Sequence, residues 1–343
     1  MEKVGEARIC SEGRRRFVRR TGGLLLGAIL PVVSVAVQAQ ATAAYPARPI
    51  RLVVPFPPGG PTDTGSRIIA QKMSQGLRQA VVIDNRPGAS GTIGAEAVAR
   101  SAPDGYTLLV MTNPTLLAPH LFARKGYEVF KDFTPVGSSF DLPLLMVVNP
   151  KVLPEVTDLR QYIAKAKANP GAMNYTSVSS GSFGHLSTEM LKNLGHFESQ
   201  HIPYKGSAPA MSAVLGGEAP MMFSDVVTAL PHIKAGKLRA IAVGSAKRVP
   251  FAPEVKTIEE QGFPGFDATA WAGLVAPAGT PYDIVARLSA ELKVALADPV
   301  VQEQLSKAGA LAAYQTPEQM AGRMRNEYKK WGKVIADNGI RGD

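Results

Sequence analysis

The stretch IRLVVPFPPGGPTDTGSRIIAQKM, residues 50–73, predicts a strand, a Pro/Gly loop and a helix in that order. The aliphatic run Ile50–Val54 is too short for a helix but has the length of a buried strand. Gly59 and Gly60 permit a tight turn, and Pro61 suits the first helical turn because its missing N–H costs nothing there. The unpaired N–H groups of that turn, with the positive end of the helix dipole, can bind an anion. The stretch therefore predicts a site for a negatively charged small molecule.

Outward from this stretch, strand-like runs alternate with helical runs through the rest of the chain. Further strands are predicted at 81–84, 106–111, 144–149, 173–177, 200–204, 221–224 and 238–243, and helices at 91–100, 158–168, 183–194, 208–215 and 283–296. Such alternation predicts an α/β fold with mostly parallel sheets flanked by helices. In such sheets ligands bind beyond the carboxyl ends of the strands, where the Pro/Gly loop lies.

Two further stretches, TPVGSSFDLPLL (134–145) and FDATAWAGLVAP (266–277), mix extended, apolar and small residues. They are interpreted as crossings between two lobes, because a chain of this length can form two cores. The lobes would comprise 45–143 plus 273–343, and 144–272. Two crossings make a hinge, so the cleft between the lobes is the expected binding site.

The first 41 residues have the pattern of a cleaved export signal. Three arginines at 14–16 precede an apolar run, 24–37, and Ala39 and Ala41 supply the small residues that a signal peptidase requires. The run is short and is broken by Pro31, which argues against a membrane span. The segment therefore predicts a periplasmic protein. Twin-arginine and Sec export both stay open, and a retained anchor is the less favoured alternative.

Removal of this segment leaves a chain of moderate positive charge and without cysteine. Cys10 is the single cysteine, so the mature chain has no disulfide, thiol nucleophile or Cys-ligated metal site. The segment carries seven Lys/Arg and three Asp/Glu, so the net charge falls from +10 to +6. This excess is spread along the chain, whereas nucleic-acid binding requires a clustered basic face. The composition fits an anionic ligand or simple solubility, and no motif indicates a cofactor or metal ion.

The ligand-binding residues predicted in the first loop are Phe56, Gly59, Gly60, Pro61 and Thr62. Backbone N–H groups and the Thr62 hydroxyl could hold a carboxylate, although a simple tight turn is the alternative. Asp63 follows, and its carboxylate would repel an anion. At the third helical position it can instead turn back and cap the loop, so Asp63 is interpreted as structural support.

A second loop with the same chemistry is SVSSGSFG, residues 177–184. The predicted contacts are Ser179, Gly181 and Ser182, which stand just before a helix. The alternative is an ordinary Ser/Gly loop with a helix cap at Ser182. Phe183 could stack on an aromatic ligand or pack inside its lobe.

Six segments of the chain resemble the periplasmic solute-binding proteins of tripartite tricarboxylate transporters, the Bug family. They are YPARPIRLVVPFPPGGPTD (45–63), NRPGASGTIGAEAVARSAPDGYTLL (85–109), SSGSFGHLSTEML (179–191), IPYKGSAPAMSAVLGGEAPMMFSD (202–225), ALPHIKAGKLRAIAV (229–243) and WAGLVAPAGTP (271–281). The resemblance implies a two-lobed, type II periplasmic-binding-protein (Venus flytrap) fold without a catalytic role. It also implies carboxylated ligands, such as dicarboxylic amino acids, citrate-like acids and aromatic acids, held between the two facing loops.

Four more residues are predicted to contact the ligand in the light of this resemblance. Thr112 and Asn113 end a strand, and the Asn113 amide could bind a carboxylate, although Asn-Pro also starts turns. Lys205 could attract an anion, and a solvated lysine is the equal alternative. Asp225 could hold a ligand amine. It stands one residue later than in the common family pattern of Met-Phe-Asp, which favours a plain carboxylic acid over an amino acid.

The competing interpretation is an exported serine hydrolase that uses Ser182 and His185. The spacing does not support it, because a G-x-S-x-G elbow would need glycine at Ser180. His185 and Glu189 are four residues apart, which suits a polar pair on a helix. We therefore predict a binding protein for a di- or tricarboxylate or an aromatic acid, not an enzyme. It would deliver the acid to a membrane permease or to the ectodomain of a sensor kinase, and a monomer suits such docking.

Overall fold

Two β-sheets with helices packed on them form the part of the chain that the computed structural model describes, residues 45–123, 126–171 and 173–342. The strands are β1 (Ile50–Val54), β2 (Val81–Asn85), β3 (Thr107–Thr112), β4 (Phe133–Leu142), β5 (Leu144–Val148), β6 (Asn174–Ser177), β7 (Gln200–Pro203), β8 (Met221–Asp225), β9 (Arg239–Val243), β10 (Ala270–Pro277) and β11 (Leu311–Gln315). The first sheet has the order β11-β4-β10-β3-β1-β2, and the second has the order β7-β6-β8-β5-β9.

Helices follow most of the strands. They are α1 (Pro61–Leu77), α2 (Thr92–Ala99), α3 (Asn113–Leu121), α4 (Val129–Asp132), α5 (Leu159–Ala168), α6 (Phe183–Gly195), α7 (Ser207–Gly216), α8 (Val226–Lys234), α9 (Tyr282–Ala297), α10 (Pro299–Lys307) and α11 (Pro317–Asp337). Every strand and helix predicted above with stated bounds is present, with ends that differ by at most one residue. The predicted export signal lies outside the described residues. None of the helices described is both long and apolar enough to span a bilayer.

Strand β1 shows why the opening stretch forms a buried strand. Ile50, Leu52 and Val54 face a core that contains Ile69 of α1, whereas Val53 faces the core on the other side of the sheet. Alternate side chains of a strand point to opposite faces, so a strand that is covered on both faces is aliphatic throughout. The run of hydrophobic residues thus reflects helices on both sides of the first sheet.

Both sheets are mixed, which corrects the expectation of mostly parallel sheets. In the first sheet β1 is parallel to β2 and β3, but β10 is antiparallel to β3 and β4, and β11 is antiparallel to β4. In the second sheet β6 is parallel to β7 and β8, but β5 is antiparallel to β8 and β9. The reason is the path of the chain: β4 leads out of the first sheet and β10 returns to it, so the two pair in opposite directions.

The stretches interpreted as crossings are mostly strand. Residues 134–145 contain nearly all of β4, and the chain passes to the second sheet at Pro143. Residues 266–277 contain β10, so the return passage precedes Ala270. Pro135 and Gly137 interrupt the strand pattern of β4, and its pairing with β10 has two register shifts, which hides the period of two on which strand prediction depends. The bounds of the two lobes stay a prediction.

Helix α11 is a long amphipathic helix that the sequence patterns above do not identify. Thr316 caps it, with Gln319 completing a reciprocal capping box. Its buried side chains are Met320, Met324, Trp331, Val334 and Ile335. The helix packs on β4 and α3 of the first sheet and also touches α6 of the second, so it contacts both halves of the molecule.

Candidate functional site

A cavity of about 330 Å³ lies between the two sheets, at the carboxyl ends of their parallel strands. Phe56 and Ser90 line it from the segments after β1 and β2, and Pro114 lines it from the first turn of α3, directly after β3. Ser179 and Ser207 follow β6 and β7 on the opposite side. The remaining lining residues are Leu144, Val178, Ser182, Phe183, Gly184, Met222, Phe223, Ser224 and Asp225. Its volume is at the small end of the range for ligand pockets, about 300–1,000 Å³.

Four helices begin at this cavity. Pro114, Gly184, Ser207 and Asp225 belong to the starts of α3, α6, α7 and α8. Asp225 caps α8, because its Oδ1 accepts a hydrogen bond of 2.9 Å from the Thr228 N–H. The starts of α3, α6 and α7 have no side-chain cap. Each uncapped start carries partial positive charge, and the first turns of α6 and α7 also offer N–H groups, whereas Pro114 of α3 has none. The cavity therefore favours an anion.

Ser182 is the most informative residue of the cavity. It is the N-cap residue of α6, yet its side chain makes no capping hydrogen bond. Its Oγ is buried, with 9% of the residue exposed, and has no hydrogen-bond partner in the described part of the chain. A buried hydroxyl without a partner costs free energy, so a native structure normally supplies one. A ligand oxygen in the cavity would satisfy it.

Two stacked histidines support the loop that carries Ser182. The rings of His185 and His201 lie 3.7 Å apart, and His185 Nδ1 accepts a hydrogen bond from the Gly181 N–H at 3.1 Å. Ser177 Oγ donates to the Ser179 carbonyl at 2.8 Å. Because its proton is committed there, Ser177 Oγ accepts from His201 Nε2, 2.6 Å away. His185 therefore fixes the loop at Gly181, and His201 fixes it at Ser177.

Asp63 stabilises the first loop by a hydrogen bond to the backbone of that loop. It is buried, with 2% exposed, and accepts hydrogen bonds from the Gly59 N–H (2.9 Å), Arg67 Nε (2.9 Å) and Asn85 Nδ2 (2.8 Å). Asn85 Nδ2 also donates to the Phe56 carbonyl at 3.1 Å. Burial acts to raise the pKa of Asp63, but these three hydrogen bonds outweigh it and hold the pKa below its ordinary value. The carboxylate is thus committed to the loop and to β2.

The structure brings only some of the predicted ligand residues to the cavity. Phe56, Ser179, Ser182, Phe183 and Asp225 line it, whereas Gly59, Gly60, Pro61, Thr62, Thr112, Asn113, Gly181 and Lys205 do not. The Gly59 N–H is bonded to Asp63, and the Gly181 N–H is bonded to His185. Lys205 is exposed. Phe183 lines the cavity and also packs edge-to-face on Trp331, with ring centroids 4.9 Å apart; stacking on an aromatic ligand stays a prediction.

Thr112 and Asn113 are buried, do not line the cavity and are hydrogen-bonded within the protein, so their expected contact with the ligand stays a prediction that this arrangement does not favour. Asn113 is completely buried, and its Oδ1 accepts a hydrogen bond of 2.8 Å from the backbone N–H of Trp271. Its Nδ2 donates to Glu327 Oε2 at 3.2 Å. Thr112 Oγ1 is hydrogen-bonded to Thr115 Oγ1 at 3.2 Å. The amide therefore joins the end of β3 to β10 and α11, and both of its polar atoms have partners within the protein.

Nine lining residues were not predicted from the sequence: Ser90, Pro114, Leu144, Val178, Gly184, Ser207, Met222, Phe223 and Ser224. Most of them stand at the end of a predicted strand or at the start of the helix after it. That position alone could have identified Ser207, which follows Gly206 at the beginning of α7. Met222 and Phe223 carry no such signal, because a buried strand is apolar whether or not it borders a ligand.

The family model described as tripartite tricarboxylate transporter family receptor matches residues 66–340. This chain belongs to that family. It is 39% identical over 299 residues to the protein BugT of Bordetella pertussis, covering 87% of this chain and 91% of BugT. The resemblance to Bug proteins that the motifs indicated is thereby confirmed.

Solved structures support the same assignment. The Rhodopseudomonas palustris protein Rpa4515, solved with adipate, matches with a TM-score of 0.76 and 35% identity over 87% of this chain and 99% of its own. The periplasmic binding protein BugD matches with a TM-score of 0.73 and 34% identity over 87% of this chain and 100% of its own. The predicted two-lobed fold of the periplasmic binding proteins is confirmed, and the relatives are binding proteins rather than enzymes.

Proposed function

We propose that this receptor captures a small organic carboxylate in the cavity between its two sheets, in the periplasm, after removal of residues 1–41. The observation that carries the proposal is the pairing of an unpartnered, buried Ser182 hydroxyl with an uncapped start of α6. A carboxylate oxygen there would accept hydrogen bonds from the hydroxyl and from the first N–H groups of the helix. The adipate bound to Rpa4515 is an acid of this class.

Capture in such a cavity would replace the water around the acid with fixed donors. The loop of residues 179–182 is held by His185 and His201, and the loop after β1 is held by Asp63, so both are ordered before the ligand arrives. Donors that are already in place reduce the ordering cost of binding. The captured acid would then pass to the membrane permease of a tripartite transporter, or the liganded receptor would signal to a sensor.

The hydrolase alternative lacks the hydrogen bond that it requires. A serine nucleophile is activated by a base within about 2.6–3.2 Å of its hydroxyl. Among the residues that the structure describes, none is hydrogen-bonded to Ser182 Oγ, and His185 Nδ1 accepts from the Gly181 N–H. We therefore infer that the protein releases its ligand unchanged.

Ser182→Ala tests the proposal. In a thermal-shift and calorimetric screen with adipate, citrate and benzoate, at least one acid should stabilise the wild-type protein by roughly 2–3 kcal/mol at 100 times its Kd. The variant should lose about tenfold in affinity, because it removes a hydrogen bond to a charged oxygen, with an unchanged unliganded Tm. No shift with any acid would contradict the proposal, and turnover of an ester panel that Ser182→Ala abolishes would support the hydrolase.

Thr316→Ala is the matched control. Thr316 is also an N-cap hydroxyl, but its Oγ1 accepts a hydrogen bond from the Gln319 N–H at 3.3 Å and lies outside the cavity. Its removal should cost about 1 kcal/mol of stability and leave the affinity unchanged. The two variants should thus separate a ligand-binding hydroxyl from a helix cap.

A further inference from the structure

Two histidines pack against the loop that carries Ser182 but do not line the cavity. The rings of His185 and His201 are stacked, with centroids 3.7 Å apart and planes inclined by 21°. Tyr175 stacks on the other face of this pair, 4.9 Å from His201 and 6.1 Å from His185. Histidine is the side chain that ordinarily changes its charge between pH 5 and 8. The pair therefore places two such groups directly beside the proposed binding loop.

The hydrogen bond between Gly181 and His185 depends on the protonation of the ring. His185 Nδ1 accepts from the Gly181 N–H at 3.1 Å, so the neutral ring carries its proton on Nε2. A further proton would have to bind at Nδ1, where it would face the N–H of Gly181. Two donors cannot bond to each other, so a protonated His185 loses its hold on the loop.

Gly181 sets the position of Ser182, the next residue in the chain. Its φ is +70°, and a Cβ there would lie 2.8 Å from Leu121 Cδ2, so its backbone is closely confined. The N–H of Ser182 donates to the Ser179 carbonyl at 3.2 Å, which closes the loop into a turn. Loss of the bond to His185 would therefore loosen the turn at the residue next to the Ser182 hydroxyl.

His201 differs from His185 in what a proton does to it. Its Nε2 donates to Ser177 Oγ at 2.6 Å, and a protonated ring keeps this bond. Two protonated rings 3.7 Å apart would repel each other, which disfavours charge on both at once. Of the two bonds to the loop, protonation breaks the one at His185 and preserves the one at His201.

The acidic group of α6 near the pair is already engaged. Glu189 accepts from Lys192 Nζ at 2.9 and 3.0 Å and from the Tyr175 hydroxyl at 2.5 Å. Burial and the Glu189 carboxylate raise the pKa of Tyr175, so its phenol is neutral between pH 5 and 8. Within this cluster the histidines are thus the groups suited to change charge in that range.

Neighbouring elements add charged groups that must be separated from the effect of His185. Strand β8 and helix α11 pack on α6. Asp225 of β8 caps α8, Lys330 of α11 donates to a backbone carbonyl, and burial raises the pKa of Glu327 of α11. Glu198 and Lys205, on either side of β7, are exposed. Glu327 can also titrate in acid, so the test needs a variant that changes His185 alone.

We propose that His185 is a positioning residue for the carboxylate-binding loop, and that its protonation releases the loop and lowers the affinity of the receptor for its acid. The inference rests on the proposed function and adds a regulation of that site by pH. Binding and protonation are linked, so bound acid would in turn oppose protonation of His185. The receptor would hold its ligand at neutral pH and release it in acid.

Calorimetry on the mature protein with adipate at pH 7.5, 6.5 and 5.5 tests the inference, with benzoate as the probe if adipate does not bind. Asparagine in His185→Asn places an acceptor near the position of Nδ1 but binds no proton, so its bond to Gly181 should survive in acid. Over this range the affinity of wild type should fall about tenfold relative to that of the variant. Both proteins meet the same acid and retain Glu327, so those titrations cancel in the ratio of the two Kd values.

His196→Asn and His201→Gln are the controls. His196 is an exposed residue that ends α6 with a φ of 49°, a conformation that asparagine tolerates. His201→Gln keeps a donor for Ser177 and removes the second titrating ring. Both variants should retain the pH dependence of wild type. Loss of that dependence in His201→Gln, with retention in His185→Asn, would overturn the assignment to His185.

A measurement without ligand separates this inference from the proposed function. The amide proton signal of Gly181, followed by NMR from pH 8 to pH 5, should move upfield in wild type as its hydrogen bond is lost, but not in His185→Asn. A constant ratio of Kd values, or a wild-type affinity that rises in acid, would overturn the inference and leave carboxylate capture intact. Failure of every acid to bind would overturn the proposed function, and the Gly181 signal would still decide whether protonation of His185 releases the loop.

Discussion

Asp63 serves the first loop without facing the ligand. An acid at the start of a helix that lies beside an anion site would repel the anion if it pointed outward. Its side chain turns back instead, and accepts from the Gly59 N–H and from Arg67 and Asn85. The negative charge of Asp63 thus offsets the positive end of α1, and its hydrogen bond to Gly59 stabilises the conformation of the loop.

Asp63→Asn should destabilise the protein by about 1–3 kcal/mol at pH 7, because the amide turns one of its two acceptor atoms into a donor that faces other donors. The pKa of Asp63 is held below its ordinary value, so its contribution is present above the unfolded pKa and is lost as the pH falls through the folded pKa. Urea unfolding at pH 7 and pH 3 should show the difference between the two proteins shrinking in acid.

Asp283→Asn is the control for this prediction. Asp283 also lies in the first turn of a helix, α9, but its side chain is exposed. The substitution should change stability by less than about 0.5 kcal/mol at either pH. A difference between wild type and Asp63→Asn that does not depend on pH would contradict the assigned hydrogen bonds.

At the scale of elements, a partly buried carboxylate of α11, Glu327, helps to join this helix to the first sheet. Glu327 Oε2 accepts from Asn113 Nδ2 at 3.2 Å and from Trp331 Nε1 at 2.5 Å. Burial raises the pKa of Glu327, although Lys330 and the Trp331 N–H act in the opposite direction. The folded protein therefore binds a proton at Glu327 more readily than the unfolded chain does.

Glu327→Gln should make the protein at least as stable as wild type at pH 7, because the amide oxygen can still accept hydrogen bonds while the partly buried charge is gone. A raised folded pKa means that wild type loses stability as the pH rises from the unfolded value through the folded value. Each pKa unit of that rise costs about 1.4 kcal/mol at higher pH. Thermal unfolding between pH 4 and pH 8 should show the advantage of the variant growing with pH.

Glu318→Gln provides the comparison on the same helix. Glu318 is exposed in the first turn of α11, and backbone and Thr316 hydrogen bonds lower its pKa. Neutralising it should give no gain in stability at high pH. If both variants gained equally, the effect would come from the net charge of the protein and not from burial at Glu327.

Most elements with a clear period were predicted, although the amphipathic helix α11 was missed. The strands that join the two sheets were not predicted. Strand β1 is covered on both faces, so its aliphatic run identifies it at once. Strands β4 and β10 carry Pro, Gly and bulges where they connect the sheets, so their pattern is irregular. Within the site, the loop around Ser182 could be predicted from the sequence, because serine and glycine residues before a helix are typical of an anion-binding loop. The internal partners of the Asn113 amide, Trp271 and Glu327, could not be predicted, because they are far away in the sequence.

At the scale of the whole molecule, the second loop is also a contact between the two halves. A Cβ on Gly181 would lie 2.8 Å from Leu121 Cδ2, so this loop touches α3 of the first sheet. Phe183 meets Trp331 of α11 edge-to-face, with ring centroids 4.9 Å apart. Buried residues of both sheets belong to one continuous apolar cluster, among them Leu109 and Tyr175. A ligand that moves the Phe183 ring would therefore change the surroundings of Trp331 in α11.

This arrangement makes Trp331 a reporter of ligand binding. The chain has two tryptophans, and both are buried. Phe183 lines the cavity and packs on Trp331, whereas Trp271 lies under Arg323, 5.2 Å from its ring centroid, and does not line the cavity. Titration with a bound acid should therefore change the tryptophan emission. Trp271→Phe should keep most of that change and Trp331→Phe should lose it, with unchanged Kd by calorimetry in the first variant. Retention of the change in Trp331→Phe would show that the ligand acts elsewhere than on the Phe183 wall.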